Sequence, residues 1–289
     1  MPRNKASQIS DAPRPFVDPQ GIVSRAEIYF NSGMHLCLVG PPGIGKTTLV
    51  HQLAGGEDRV RTVIGGQSDK GHLLGGLRQN EDLSISWMDG PVVEAVQRGL
   101  VLYADELAAF DRDCLLVLHA LLDFRKRVFL TSENREIRVH PDFRFIASCN
   151  QSPSGYDPLL REFRDRMVYI YVDRIDSASE AELLLERFEL ATEDVDYLIR
   201  FASVLRKADP LGGASTRQLE TAAKAVSLGV PRHVAAVDCV LSSIAGSGLA
   251  HRDSLLNMIR AEGLGLDELW HSDPVEDAVV IVDGDETWS

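Results

Sequence analysis

Five short, nearly unbroken apolar runs punctuate the chain: Met34–Val39, Val60–Ile64, Leu100–Ala104, Phe143–Cys149 and Met167–Val172. Runs of this length without polar alternation predict parallel strands buried on both faces. Only Val60–Ile64 is interrupted, by Arg61 and Thr62. Between the runs, Lys46–Ala54, Val92–Gln97 and Asp113–Phe124 carry the spacing of helices, and alternating strands and helices build a parallel sheet. The predicted fold class is therefore α/β. Two short additions interrupt it: Leu77–Trp87, and Arg127–Val139, where Arg127–Leu130 and Glu136–Val139 flank a polar turn as in a β-hairpin. After Asp173 the strand pattern stops, and Glu180–Phe188, Val195–Lys207, Thr216–Leu228 and Val234–Ile244 predict a second, all-helical unit. Ser177 with Glu180, and Ser215 with Gln218, have the spacing of capping boxes. The expected organisation is an N-terminal arm over 1–20, rich in Pro and polar residues, an α/β domain over 21–176, a small helical domain over 177–262 and an acidic tail over 263–289.

Length agrees with more than one domain, since 289 residues exceed one ordinary core. With 44% hydrophobic and 25% charged residues the composition is that of a soluble globular chain. No apolar run approaches the roughly 20 residues that cross a bilayer, and the start has no apolar signal core, so a cytoplasmic protein without membrane insertion is expected. Cys37, Cys114, Cys149 and Cys239 form no CxxC pair and read as reduced thiols. The net charge of −13 argues against nucleic acid as a partner, because clamping phosphates needs a basic stripe. More than half of that excess lies in the tail, between Asp267 and Glu286, which surrounds the apolar island Ala278–Val282.

The chemistry sits at the ends of the apolar runs. Gly40, Pro41, Pro42, Gly43, Ile44, Gly45, Lys46 and Thr47 fit G-x-x-x-x-G-K-[ST] between a strand and a helix, with Thr48 next in line. The loop's backbone amides and the helix N-terminus suit phosphate oxygens, Lys46 suits the β and γ phosphates of ATP, and Thr47 suits Mg²⁺. The run from Leu100 ends in Asp105 and Glu106: the first is placed to hold Mg²⁺ through water, the second to orient the attacking water. Asn150 ends the next run, where a neutral amide positions the same water or senses the γ-phosphate; an Asn that only caps a strand is the plainer reading. Arg161, Arg164 and Arg166 precede the last strand, and guanidinium groups suit a transferring phosphoryl group. Arg166 is the first candidate to reach a neighbouring subunit's nucleotide. Arg217 begins a helix of the second unit, a position that does not favour a cation for the helix's own sake.

Taken together, GPPGIGKT, LYADE, ASCN, REFRDRM and GGASTR resemble the MoxR group of AAA+ ATPases, within it the CbbQ/NirQ/NorQ branch, over roughly Val23 to Ala245. Asp89–Ala95, His119–Lys126, His140–Arg144 and Gly155-Tyr156 carry the branch. The resemblance implies an AAA+ P-loop fold with a five-stranded parallel sheet between helices and a helical lid. It implies a homo-oligomer, a hexameric ring, with Lys46, Thr47, Asp105, Glu106 and Asn150 acting in cis, Arg166 in trans and Arg217 as a second sensor. It also implies projecting inserts at Gly76–Trp87 and Arg127–Val139, a partner bearing a von Willebrand A domain, and a client metalloenzyme or carboxylase that is remodelled or matured. The chain departs from the group at Asn150-Gln151, where Asn-Pro is usual, and at Glu162–Met167, where the branch has S-T-R-Q-R-F. Val23–Ala26 and Val139–Arg144 also resemble the gas-vesicle protein N branch, whose role is shell assembly. Metal-cofactor insertion and nucleotide-gated assembly are thus the alternatives to an activase.

Overall fold

The computed structural model describes residues 15–18, 20–123, 127–130, 133–150, 162–163, 165–209, 213–245 and 249–265. Five strands, β1 (His35–Val39), β2 (Val60–Ile64), β5 (Val101–Asp105), β8 (Arg144–Cys149) and β9 (Met167–Tyr171), form one sheet in the order β2-β5-β8-β1-β9. Every pairing is parallel. The three central strands are buried along most of their length, whereas β2 and β9 are only partly buried and end on an exposed residue. That explains the interrupted pattern at Arg61 and Thr62: an edge strand needs fewer apolar positions than a central one.

Because successive side chains point to opposite faces, the sheet separates two cores. Leu102, Ala104, Phe145 and Ala147 pack with Val92 and Val96 of α4 (Pro91–Arg98) and with Leu115 and Leu118 of α5 (Arg112–Leu121). Val101, Tyr103, Leu36 and Ile146 face Ile22 and Ala26 of α1 (Ile22–Asn31) and Leu49, Val50 and Leu53 of α2 (Lys46–Ala54). The result is a helix–sheet–helix sandwich. The core begins earlier than the expected arm allows: Phe16 is buried and donates its N–H to Gln52 Oε1 at 2.8 Å, and the Asp18 carboxylate accepts from Ile22 and Val23 N–H at 2.7 and 2.8 Å. Residues 1–14 lie outside the described residues.

Two antiparallel hairpins stand apart from this sheet. One pairs β3 (Gly75–Gln79) with β4 (Ile85–Asp89) after the short α3 (Lys70–Leu74), and the other pairs β6 (Arg127–Leu130) with β7 (Arg135–Arg138). A salt bridge from Arg135 to Asp89 links them. The first exposes Leu77, Leu83 and Ile85.

The chain divides into two compact units, with the break at Arg187/Phe188 and with Ser215–Gln218 grouped with the first. All of α6 (Ser177–Phe188) except Phe188 therefore belongs to the sheet unit. Its expected capping box is not formed. Asp176 caps it instead, accepting from Ala178 and Ser179 N–H at 3.0 Å each, because the helix already begins at Ser177 and the residue before it holds the N-cap position. Glu180 is released from capping, is wholly buried, and accepts from Thr216 Oγ1 at 2.6 Å. The second unit is helical, with α7 (Thr192–Ala208), the part of α8 (Thr216–Ser227) from Leu219, the run Arg232–Ala236, Val237–Leu241 and Ser242–Ala245, and a last helix, Leu249–Ala261. Phe201, Leu205, Leu219, Val240, Leu255 and Ile259 are among its buried residues. No helix among the described residues is long and apolar enough to cross a membrane.

Candidate functional site

Parallel pairing brings the carboxyl ends of β1, β5 and β8 to one edge of the sheet, and ligands of open α/β sheets bind in that position. The loop after β1 is built for close backbone approach. A Cβ on Gly40 would stand 2.2 Å from Val172 O, while Gly40 N–H donates to Cys149 O at 3.1 Å. Gly45 takes φ 92 as N-cap of α2, a conformation that L side chains rarely adopt, and offers no side-chain cap. The first-turn amides of α2 are left for an external acceptor.

Lys46 is buried and donates to Gly40 O at 2.7 Å, Pro41 O at 2.9 Å and Asn150 Oδ1 at 3.2 Å. Burial holds its pKa below the usual lysine range, partly offset by Asp105, Cys149 and Glu106 and reinforced by Arg217. An anion near this ammonium would therefore meet a poorly hydrated positive charge. Asn150 also donates from Nδ2 to Glu106 Oε1 at 3.3 Å. Ammonium groups only donate and carboxylates only accept, so the two neighbours fix which way this amide faces.

Asp105 is held from the sheet side. Tyr103 donates its hydroxyl to Asp105 Oδ1 at 2.8 Å and Ser148 Oγ donates to the same oxygen. Ser148 Oγ also accepts from Glu106 N–H at 3.0 Å. Burial pushes the Tyr103 phenol well above its usual range, against the neighbouring hydroxyls of Ser148 and Thr47, which pull it down. Glu106 lies in the left-handed region at φ 55, ψ 57, with its side chain exposed. Gly65 lies against its backbone: a Cβ there would come within 2.4 Å of Glu106 O.

Arg217 is brought to the same loop: a Cβ on Gly43 would stand 2.9 Å from Ser215 Cβ and 3.4 Å from Arg217 Cβ. The expected capping box forms here, with Ser215 N–H donating to Gln218 Oε1 at 2.7 Å and Gln218 N–H to Ser215 Oγ at 3.3 Å. Arg166 is placed elsewhere, exposed, donating to Glu162 O at 2.8 Å. Its charge and burial hold the adjacent His119 below the ordinary histidine pKa, burial being the larger effect. Arg161, Arg164 and Gly155-Tyr156 lie outside the described residues. Thr47, Thr48, Pro41, Ile44 and the exposed Pro42 complete the loop and its helix as expected. Tyr103 and Ser148 are the site residues that sequence reasoning missed. Each is a polar residue inside an apolar run, which was the available signal.

Thr47 and Asp105 supply hard oxygen donors and no sulfur or nitrogen, the chemistry that suits Mg²⁺. Asp105 accepts both hydroxyls on Oδ1, and no bond to Oδ2 occurs among the described residues. The pair thus fits that ion.

Residues 35–167 match the family model described as AAA domain (dynein-related subfamily). Uncharacterised proteins of Staphylococcus haemolyticus and Staphylococcus epidermidis are similar, at 28% identity over 203 residues and 29% over 205; each alignment covers 68% of this chain and 77% of the relative. Among solved structures, NtrX from Brucella abortus in complex with ADP superposes with a TM-score of 0.55 at 16% identity, over 83% of this chain and 58% of that one. The likeness is one of fold, and the chain has the AAA-type P-loop architecture with a helical C-terminal region.

Proposed function

We propose that this chain binds ATP with Mg²⁺ and hydrolyses it, and that the cycle drives a ring of identical subunits that remodels or matures a client enzyme. One observation carries the reading: Asn150 is bonded at once to Lys46 and to Glu106, beside Asp105. A phosphate-binding lysine, an acceptor carboxylate for water and a neutral amide that contacts both form the set that phosphoanhydride hydrolysis needs. The match of residues 35–167 to the AAA domain model supports it.

In this reading the loop from Gly40 to Thr47, with Thr48, surrounds the phosphates, and Lys46 moves from the carbonyls of Gly40 and Pro41 to phosphate oxygens. Thr47 and Asp105 would hold Mg²⁺, which supplies neutralisation of phosphate charge. Glu106 takes the proton of the attacking water, and Asn150 orients that water or responds to the γ-phosphate. Arg217 lies beside the loop, where its charge can respond to the phosphates. Arg166, exposed and turned to Glu162, suits action on a neighbour's nucleotide, with Arg164 as the alternative. The exposed Leu77, Leu83, Ile85 and Phe129 on the two hairpins are the kind of apolar surface that engages a protein. A von Willebrand A domain partner and a metalloenzyme or carboxylase client follow from the MoxR resemblance.

Purified Lys46→Ala should lose ATP binding, whereas Glu106→Gln should bind ATP and turn it over at least about 100-fold more slowly. Normal turnover in Glu106→Gln removes Glu106 as the base. The trapped Glu106→Gln protein, recovered from its host by affinity tag, is expected to carry its client, identified by mass spectrometry. Shell proteins alone in that sample would replace the activase reading with an assembly scaffold.

A further inference from the structure

Tyr103 on β5 is paired with Ile146 on β8, so Ser148, two residues further along β8, lies on the same face of the sheet. Each hydroxyl sits in a run that is otherwise apolar, Val101, Leu102 and Ala104 on one strand and Phe145, Ile146 and Ala147 on the other. Tyr103 is 0% and Ser148 1% exposed. A hydroxyl buried so deeply is costly unless a partner receives it, and an apolar residue would fill either position without that cost. Both hydroxyls converge on one oxygen, Asp105 Oδ1. A carboxylate only accepts, so each hydroxyl spends its single proton on Asp105. Ser148 has lone pairs left and uses one for Glu106 N–H at 3.0 Å. The Thr47 hydroxyl is also within reach of the Tyr103 hydroxyl.

We propose that Tyr103 and Ser148 are positioning residues of the nucleotide site: together they lock the Asp105 carboxylate by Oδ1 and leave Oδ2 for the metal's water shell. Ser148 in addition fixes the left-handed backbone that aims Glu106. One buried serine hydroxyl therefore joins the metal-holding carboxylate to the water-activating one. Loss of either hydroxyl frees Asp105 to rotate, and the ion then binds a less ordered site. Loss of Ser148 alone also releases Glu106. The roles are separable, because Tyr103 has no bond to Glu106 among the described residues. The inference rests on the ATP and Mg²⁺ reading given above.

The test compares the full chain with Tyr103→Phe, which keeps the ring, and Ser148→Ala, which removes one oxygen. Binding of a fluorescent ADP derivative is measured in EDTA and then across a Mg²⁺ titration, with thermal melting to confirm folding. In EDTA both variants should bind within about twofold of the parent chain, since neither hydroxyl touches the phosphate loop's amides. The Mg²⁺ concentration at half-effect should rise about fivefold to tenfold in both, the size of one ordinary lost hydrogen bond. In single-turnover ATP cleavage at saturating Mg²⁺, Ser148→Ala should slow more than Tyr103→Phe, because only Ser148 also holds the Glu106 N–H. An unchanged Mg²⁺ midpoint in both variants overturns the proposal, and so does an equal loss of affinity in EDTA, which marks a purely structural role. A parent chain whose ADP binding gains nothing from Mg²⁺ fails earlier, and takes down the metal-site reading itself.

Discussion

At Gly40 a single added methyl has nowhere to go. Its nearest neighbours would be Val172 O at 2.2 Å and Ile44 Cδ1 at 2.6 Å, and the first is backbone of the adjoining strand's end, which cannot swing aside. Gly40→Ala is expected to destabilise the protein by about 1–3 kcal/mol, as overpacking does, and to disturb the carbonyl that Lys46 holds. Urea unfolding and nucleotide binding would both register the change; an unaltered midpoint would mean that the loop yields. Residues of this kind were legible in advance for a simple reason. Asp105, Glu106 and Asn150 lie at or just past the ends of buried strands, and Lys46 begins the helix that follows one, where the chain turns polar. Tyr103 and Ser148 lie inside such strands and read as filler until pairing of β5 with β8 brings their hydroxyls to one oxygen. The cap of α6 was misplaced by one residue, at Ser177 rather than Asp176, because both residue types cap helices and only the fold decides which amides each can reach.

Among the elements, α4 is tied to the edge strand β2 by a fork of bonds. Arg61 donates from Nε to Glu94 Oε2 at 2.8 Å and from Nη2 to Oε1 at 2.7 Å, and Arg98 reaches the same carboxylate. The Arg61 hydrogen bonds are the main reason why the Glu94 pKa falls from 4.5 to about 2. A carboxylate whose folded pKa is depressed adds stability that is complete above its unfolded value near 4.5 and is lost as pH falls through about 2. Solvent reaches a third of this side chain, so the contribution at neutral pH is limited to about 1 kcal/mol. Glu94→Gln should therefore lower the urea midpoint at pH 7, and the difference from the parent should shrink as pH falls below 4.5. A difference that stays constant down to pH 3 would assign the effect to packing instead. The five parallel strands and the hairpin of β6 with β7 matched their patterns closely, since a buried parallel strand leaves an unmistakable apolar run and a polar turn marks the hairpin. That the first insert is also a hairpin came from the structure. The helix α1 did not, because only Ile22 and Ala26 of it are buried and Ile28 is 65% exposed, too narrow a stripe to stand out. The last helix, Leu249–Ala261, buries Leu255, Leu256 and Ile259 behind a polar first half, which blurs its period in the same way.

For the whole molecule the open question is whether one chain contains a complete site. Lys46 feels Asp105, Cys149, Glu106 and Arg217, all gathered at the same sheet edge, whereas Arg166 is turned toward Glu162 and His119. If Arg166 stabilises charge on a transferring phosphoryl group, it does so on another subunit's nucleotide, and the ring becomes a chemical requirement as well as a mechanical one. Two inactive variants then complement each other. Lys46→Ala cannot hold ATP but still offers its arginine; Arg166→Ala holds ATP but lacks the arginine. In an equal, randomly mixed ring, about one interface in four joins an intact Lys46 to a neighbour's intact Arg166, so turnover should return to about a quarter of the parent value. Each variant alone should stay silent at every concentration. A mixture that co-elutes as one assembly on gel filtration yet stays inactive would place the action of Arg166 within its own chain, and the search for the trans residue would pass to Arg164 and Arg161.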